Sequence, residues 1–340
     1  MERHFDYIRL LFVTTAVFII LPGCRLSQTN NSETSAPRVH AQMYIKGEPS
    51  AEGFLPCHAE GKYYGIRAMD SVTFFPGEDS FHQMHHHGVA LESEQMAYRI
   101  YFDKRQTVDV YAKRHPRLEL ATSRWYPNDS LLALGYGDDV LKVGNTIGVG
   151  SVRPYDYMNE RLLNMDKFES RTQRIVCLTA DSAVVETEVR GLTIQDGDSV
   201  KTTDLTTRYT ILSGHRDMRC EVFCTTPIHC LTTGVQKTGN GKSMQLSVSQ
   251  GTTLLSWGTD WPVNDTIKYG KETIGLAVYV PEAYTGKVFT DQQQQLCPLR
   301  LDTTGYCRFY LTAVALKEDN PPATNFGEFL RYIRLWMPSF

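Results

Sequence analysis

The chain has 340 residues, of which 41 % are hydrophobic and 21 % charged, and its formal net charge is −3. These values exclude a disordered polymer and leave room for a large core in one or two domains. A near-neutral balance also removes any general attraction to nucleic acid. The 18 tyrosines, within an aromatic share of 11 %, favour strands and surfaces that stack on flat or ring-shaped ligands.

At the N-terminus, Arg3, His4 and Arg9 precede the apolar run LLFVTTAVFIIL, residues 10–21. The run is too short for a membrane-spanning helix and has the length of a signal-peptide core. It leads into LPGC, residues 21–24, where small Gly23 before Cys24 resembles a bacterial lipobox. The expectation is a signal peptide over 1–23, lipidation at Cys24, a flexible polar tether over 24–40 and one domain over 41–340. That makes the chain an exported lipoprotein, membrane-anchored and facing the periplasm or the cell exterior. Seven cysteines follow Cys24, and an odd number leaves at least one outside any internal disulfide. CEVFCTTPIHC offers Cys220, Cys224, His229 and Cys230 as zinc ligands. Even spacing, however, puts Cys220 and Cys224 on one face of a strand, where thiols commonly act as small buried hydrophobes.

The body of the chain reads as β. Strands are predicted over 97–103, 107–113, 182–192, 206–213, 219–226, 244–250, 272–281 and 307–316, all rich in Val, Ile, Thr, Tyr and Phe. QDGDS, KTGNGKS and KEDNPP separate them. One or two helical turns are expected in YMNERLLNMDKF (157–168), and a helix in NFGEFLRYIRLWM (325–337). Many strands without βαβ alternation favour large packed antiparallel sheets with a short C-terminal helix.

Five stretches carry chemistry. The first holds His82, His85, His86 and His87 before a strand, with Glu92 and Glu94 sharing a face beyond. It suits acid–base work or, as a lesser alternative, a divalent metal on His85 and His87. In the second, Arg99 and Tyr101 share one face of a strand, opposite Tyr98, Ile100 and Phe102. Arg99 is suited to binding a carboxylate. The third, residues 123–151, is long and glycine-rich, with Arg124, Trp125 and Tyr136. Its GYGDD offers Asp138 and Asp139 for catalysis or Ca²⁺. The fourth brings Arg208, His215, Arg216 and Asp217 to a hairpin. The fifth, SWGTDWPVNDTIKYGKET, has Trp257, Trp261 and Lys271 as a rim for stacking sugar rings. No GxSxG, P-loop or HExxH is present.

The strings HHGVALESEQMAYRIYFDKRQTVDVYAK, WYPNDSLLALGYGDDVLKVGNTIGVG, RYTILSGHRD, TGVQK, WGTDWP and KYGKETIGLAVYVP resemble a functionally uncharacterised family of exported proteins from polysaccharide-degrading bacteria, encoded near uronate and pectin breakdown genes. The resemblance implies an all-β supersandwich of the galactose-mutarotase-like class. It also implies a carbohydrate-active protein working on a uronate-containing oligosaccharide or polysaccharide fragment as lyase, hydrolase or isomerase, with no cofactor. On that reading His87, Glu92, Glu94, Tyr101 and His215 are the expected catalytic set. Arg99, Arg124, Trp125, Tyr136, Arg208, Trp257, Trp261 and Lys271 are the expected substrate contacts. The alternative is a glycan-binding surface lipoprotein without catalysis.

Overall fold

The computed structural model describes residues 36–248, 250–267 and 269–337. The signal peptide and the lipidation at Cys24 fall outside these residues. The first part of the chain builds strands β1 (Val39–Gln42), β2 (Tyr44–Gly47), β3 (Leu55–Ala59), β4 (Lys62–Ala68) and β5 (Ser71–Phe74), then a short helix α1 (Ser80–Gln83). Strands β6 (Gly88–Ser93), β7 (Met96–Tyr101) and β8 (Val108–Ala112) follow. After them come the single-turn helices α2 (Leu120–Ser123) and α3 (Asp129–Ala133) and a two-residue strand β9 (Asp138–Asp139).

The strand Ser182–Asp196 shows how the sequence dictates sheet. Ala183, Val185, Thr187 and Val189 alternate inward, and Glu186, Glu188 and Arg190 alternate outward. At Gly191 a β-bulge shifts the register, so Leu192 and Ile194 take over the inward face. Gly191 has φ +60, and a Cβ there would stand 2.5 Å from the Glu169 side chain. On the outer face Arg174, Glu186, Arg208, Glu221 and Arg308 are direct cross-strand partners in turn across five strands. Opposite charges so placed favour this register over a slipped one.

That strand belongs to a nine-stranded antiparallel sheet that runs from Lys242–Val248 at one edge to β5 at the other. Two five-stranded sheets pack on its inner face. One has the order β1-β6-β7-β8-β9, and the other has Arg153–Asp156 and Leu231–Gln236 at its centre. The β2-β4-β3 sheet is a small satellite. All eight predicted strands are present, and the fold is all-β with large antiparallel sheets. The first strand begins at Val39, inside the segment read as tether. Residues 157–168 form no helix. Arg161–Leu162 pairs as a strand with Tyr155–Asp156, and Asp156 Oδ1 accepts the Met158 and Asn159 N–H groups to close a turn. The expected C-terminal helix, α4 (Phe326–Trp336), is capped by the Asn325 side chain. It buries Phe329, Ile333 and Trp336 on the other face of the nine-stranded sheet. All seven cysteines among the described residues are free, and six are buried. Cys220 and Cys224 lie in the core, as their spacing predicts.

The β6–β8 sheet positions the site. Val89, Leu91, Tyr98, Ile100, Val108 and Val110 face the core. The opposite face carries Glu92, Arg99, Tyr101, Asp109, Tyr111 and Lys113, and the chain from Arg117 to Tyr126 roofs it. Buried Lys113 and Glu92 pair directly. Glu92 accepts the N–H groups of Glu119 (3.0 and 2.9 Å) and Leu120 (2.8 Å), and Lys113 Nζ donates to the Arg117 carbonyl at 2.8 Å. Glu119 in turn accepts from Tyr111 Oη and the Gly137 N–H. The roof is therefore tied down by ionic hydrogen bonds out of water, where such bonds are strong and their loss is costly.

Glu92→Ala leaves Lys113 without its partner and two roof N–H groups unsatisfied. It is expected to lower stability by about 3–5 kcal/mol. Pairing it with Lys113→Met should recover part of that loss. Urea unfolding of the three variants measures both, and an unchanged midpoint in Glu92→Ala would show that the clamp is dispensable.

Candidate active site

A two-residue turn, Glu60–Gly61, joins β3 to β4, with Ala59 and Lys62 paired across it. Glu60 has φ +51 and Gly61 φ +70, the left-handed pair of a type I′ hairpin. Asn, Asp or Gly is preferred at the first position, so glutamate there costs backbone strain. His86 (φ +42) and His87 (φ +65) enter β6 in the same region, and Arg124 (φ +48) and Trp125 (φ +72) follow α2. Seven non-glycine residues among those described have positive φ, and these five belong to one site. Strain of this kind persists where the surroundings fix a functional arrangement.

The histidines divide their roles. A carbonyl can only accept, so His85 carries its proton on Nε2, bonded to the Arg124 carbonyl at 3.0 Å, and Nδ1 accepts from Tyr64 Oη at 2.9 Å. Burial pushes its pKa down to about 4, which keeps the ring neutral. Both nitrogens are engaged, and no group of three or more His, Cys, Asp or Glu among the described residues is placed to hold a metal ion. His86 is wholly buried, and desolvation holds it far below the ordinary range. His87 donates Nδ1–H to the Phe81 carbonyl at 2.9 Å and stacks on the Phe81 ring at 4.0 Å. Its Nε2 then points to Glu60, 3.7 Å from Oε1.

Beneath them lies a buried guanidinium. Arg99 touches Asp109 directly and stands 3.1 Å from Asp139 Oδ2. The Tyr101 and Tyr126 hydroxyls lie 2.7 and 3.2 Å from its nitrogens, and the Trp125 and Tyr101 rings pack against it at 4.4 and 4.6 Å. Tyr101 donates to Asp109 at 2.9 Å, and Trp125 Nε1–H donates to Asp139 Oδ2 at 3.3 Å. Two carboxyls share one cation here. Burial first, then the Asp109 charge, push the Asp139 pKa up to about 8 against the pull of Arg99.

Asp139 opens onto a cavity of about 530 Å³, within the range of small-ligand sites. Its walls are the β3–β4 turn with His58, Glu60 and Lys62, the segment Tyr126–Asn128, Asp138 and Asp139, and the loop bearing Val263, Asp265 and Tyr269. Glu60, also in its wall, is tuned the other way. With a proton on Nε2 as well as Nδ1, the His87 ring holds it down, to about 2, outweighing burial.

Of the residues expected from sequence, His87, Tyr101, Arg99 and Trp125 gather here, and Arg124 contributes its backbone carbonyl. Trp261 starts the loop that walls the cavity, with Lys271 over its ring at 5.6 Å. The others are elsewhere. Glu92 is the roof clamp. Glu94 pairs with Arg38 and accepts the Gly214 N–H. His215 is half exposed beside Asp217, 3.2 Å away. Arg208 belongs to the outer charge ladder, bonded to Glu186. Tyr136 packs under Arg117 at 4.1 Å. Trp257 is 8 % exposed and lies against Phe329 of α4. Alternation along a strand cannot say which face is roofed, and this is why these six read alike from sequence. Glu60 was not singled out there. Its only signal is an acid before glycine between two strand-like runs, LPCHA and KYYGIRA.

These features define an all-β sandwich protein with a strained, roofed cluster of titratable residues on one sheet. The chain belongs to the family described as Domain of unknown function (DUF4861), whose model matches residues 24–339. None of the curated proteins compared with the chain matches it.

Asp109→Asn removes the like charge beside Asp139 and leaves Arg99 to it alone. The Asp139 pKa should then fall, by one unit or more on the scale of close charge pairs. Carboxyl ¹³C NMR titration reads the shift, and an unmoved Asp139 would show that the Asp109 charge does not raise it.

Proposed function

We propose that this protein is an acid–base enzyme that hydrolyses uronate-containing oligosaccharides. The observation that carries the reading is a single cavity in which two of the four lining carboxyls are tuned in opposite directions, Glu60 ionised and Asp139 protonated near neutral pH. Environments that push two acids apart assign the base and the acid.

Asp139 delivers its proton to the glycosidic oxygen as the C–O bond breaks. Glu60 takes a proton from the water that adds to the anomeric carbon, so water is divided across the bond. Arg99 and the Trp125 N–H lie against the Asp139 oxygen that is left negative, and they stabilise it. Lys62 lines the cavity and is suited to a substrate carboxylate. β-Elimination would call for Tyr101 as a free base and Arg99 as a free cation. Tyr101 is bonded to Asp109 and Arg99 is held by two aspartates, which weighs toward hydrolysis. The binding-only alternative leans on Trp257 and Trp261, and of these Trp257 packs under α4. Export and anchoring at Cys24 would bring such an enzyme to incoming polysaccharide fragments.

Glu60→Gln and Asp139→Asn should each lower turnover of uronate oligosaccharides about 10²–10⁴-fold, with the circular dichroism unchanged. Asp139 must be protonated to act, so wild-type kcat/KM should be present below its pKa and fall as pH rises through about 8. Product chromatography that shows full activity in both variants, or new ultraviolet absorbance from unsaturated uronate, overturns the assignment. Separately, Cys24→Ser should move the protein from the membrane pellet to the soluble fraction. Unchanged pelleting would remove the anchor.

A further inference from the structure

On the other side of the Phe81–His87 stack lies a second cleft, of about 360 Å³. Ser80, Phe81, Lys104, Arg105, Phe168 and Arg171 are among its walls. Arg171 is the unusual member. It is 4 % exposed, at the start of the strand Ser170–Leu178. Its Nη2 donates to the Met165 carbonyl at 2.7 Å, its guanidinium packs over the Phe168 ring at 4.3 Å, and its Nε is buried with no partner. No carboxylate among the described residues forms an ion pair with it.

The acids around the cleft are already engaged. Asp103 pairs with Arg105 at 2.8 Å and Asp166 with Lys104 at 3.7 Å. Glu78 accepts the Phe75 N–H, and Asp79 accepts from the His82 backbone and ring. Taking a guanidinium out of water without a counter-ion is costly, and buried arginines are normally paired. Burial accordingly pulls the Arg171 pKa down, to about 10. A guanidinium that lines a cleft with no carboxylate in contact matches a carboxylate or phosphate group.

We infer that this cleft is an anion site in which Arg171 binds a carboxylate or phosphate group. The site stands apart from the Glu60–Asp139 cavity and does not depend on its chemistry.

The test is calorimetry on the wild type, Arg171→Met and Glu60→Gln, with three probes: a uronate trisaccharide, its neutral hexose counterpart and inorganic phosphate. The expected result is binding of the uronate probe by the wild type and by Glu60→Gln, at least tenfold weaker binding by Arg171→Met, and at least tenfold weaker binding of the neutral sugar. Equal binding of phosphate identifies a general oxyanion site, and uronate binding alone identifies a saccharide site; either supports the inference. The Arg171 Nε–H resonance of the unaltered protein should shift on adding the binding anion, so the outcome can be read even if Arg171→Met fails to fold. An unmoved resonance, no binding of either anion, or equal affinity in Arg171→Met overturns it. Turnover lost in Glu60→Gln with anion binding intact separates this site from the catalytic proposal.

Discussion

Much of this structure follows from putting charges on a sheet face and then covering it. The face of β6–β8 opposite the core bears Glu92, Arg99, Asp109 and Lys113, and the roof adds Arg117 and Glu119. The Glu92–Lys113 and Glu119–Arg117 pairs balance within themselves, which leaves Asp109 and Asp139 to share Arg99 with Asp138 close by. The proton falls on Asp139, where β9 meets the cavity. The raised pKa is thus a result of burial and of the charges gathered around Arg99.

The same roof explains the strain. Holding Trp125 over Arg99 and the Arg124 carbonyl against His85 requires two successive left-handed residues after α2. On the facing side, His86 and His87 turn the chain into β6. That turn sends His86 inward to Gln42 and leaves His87 stacked on Phe81 and facing Glu60. Each left-handed residue costs roughly 1–2 kcal/mol. Buried ionic hydrogen bonds that exist only in this arrangement offset that cost.

The strands legible in the sequence are those with one face in the core and one toward charge, such as Ser182–Asp196. Those missed lack that contrast. β6 and Leu231–Gln236 are buried on both faces, and Gln294–Pro298 is short and has no β-branched residue. Of the site, the polar side of β7 and the GYGDD carboxyls were readable because charges in a strand-like run stand out. The partition between them was not. Glu92 and Glu94 look equivalent in sequence, yet one clamps a buried roof and the other meets Arg38 at the surface. That difference comes from residues tens of positions away. Glu60 escaped notice because its environment is supplied by His87, on a separate element.

This arrangement also constrains where a substrate's negative charge can be read. A free arginine within about 4–6 Å of Asp139 would lower its pKa by one to three units and strip the proton the acid must carry. Arg99 avoids this only because Asp109 shares its charge. A carboxylate-bearing substrate, by contrast, would raise the Asp139 pKa on approach and secure the proton. Acid chemistry and recognition of acidic sugars are therefore compatible only if the recognising cations stand off from the acid. Arg171, in its separate cleft, meets that condition.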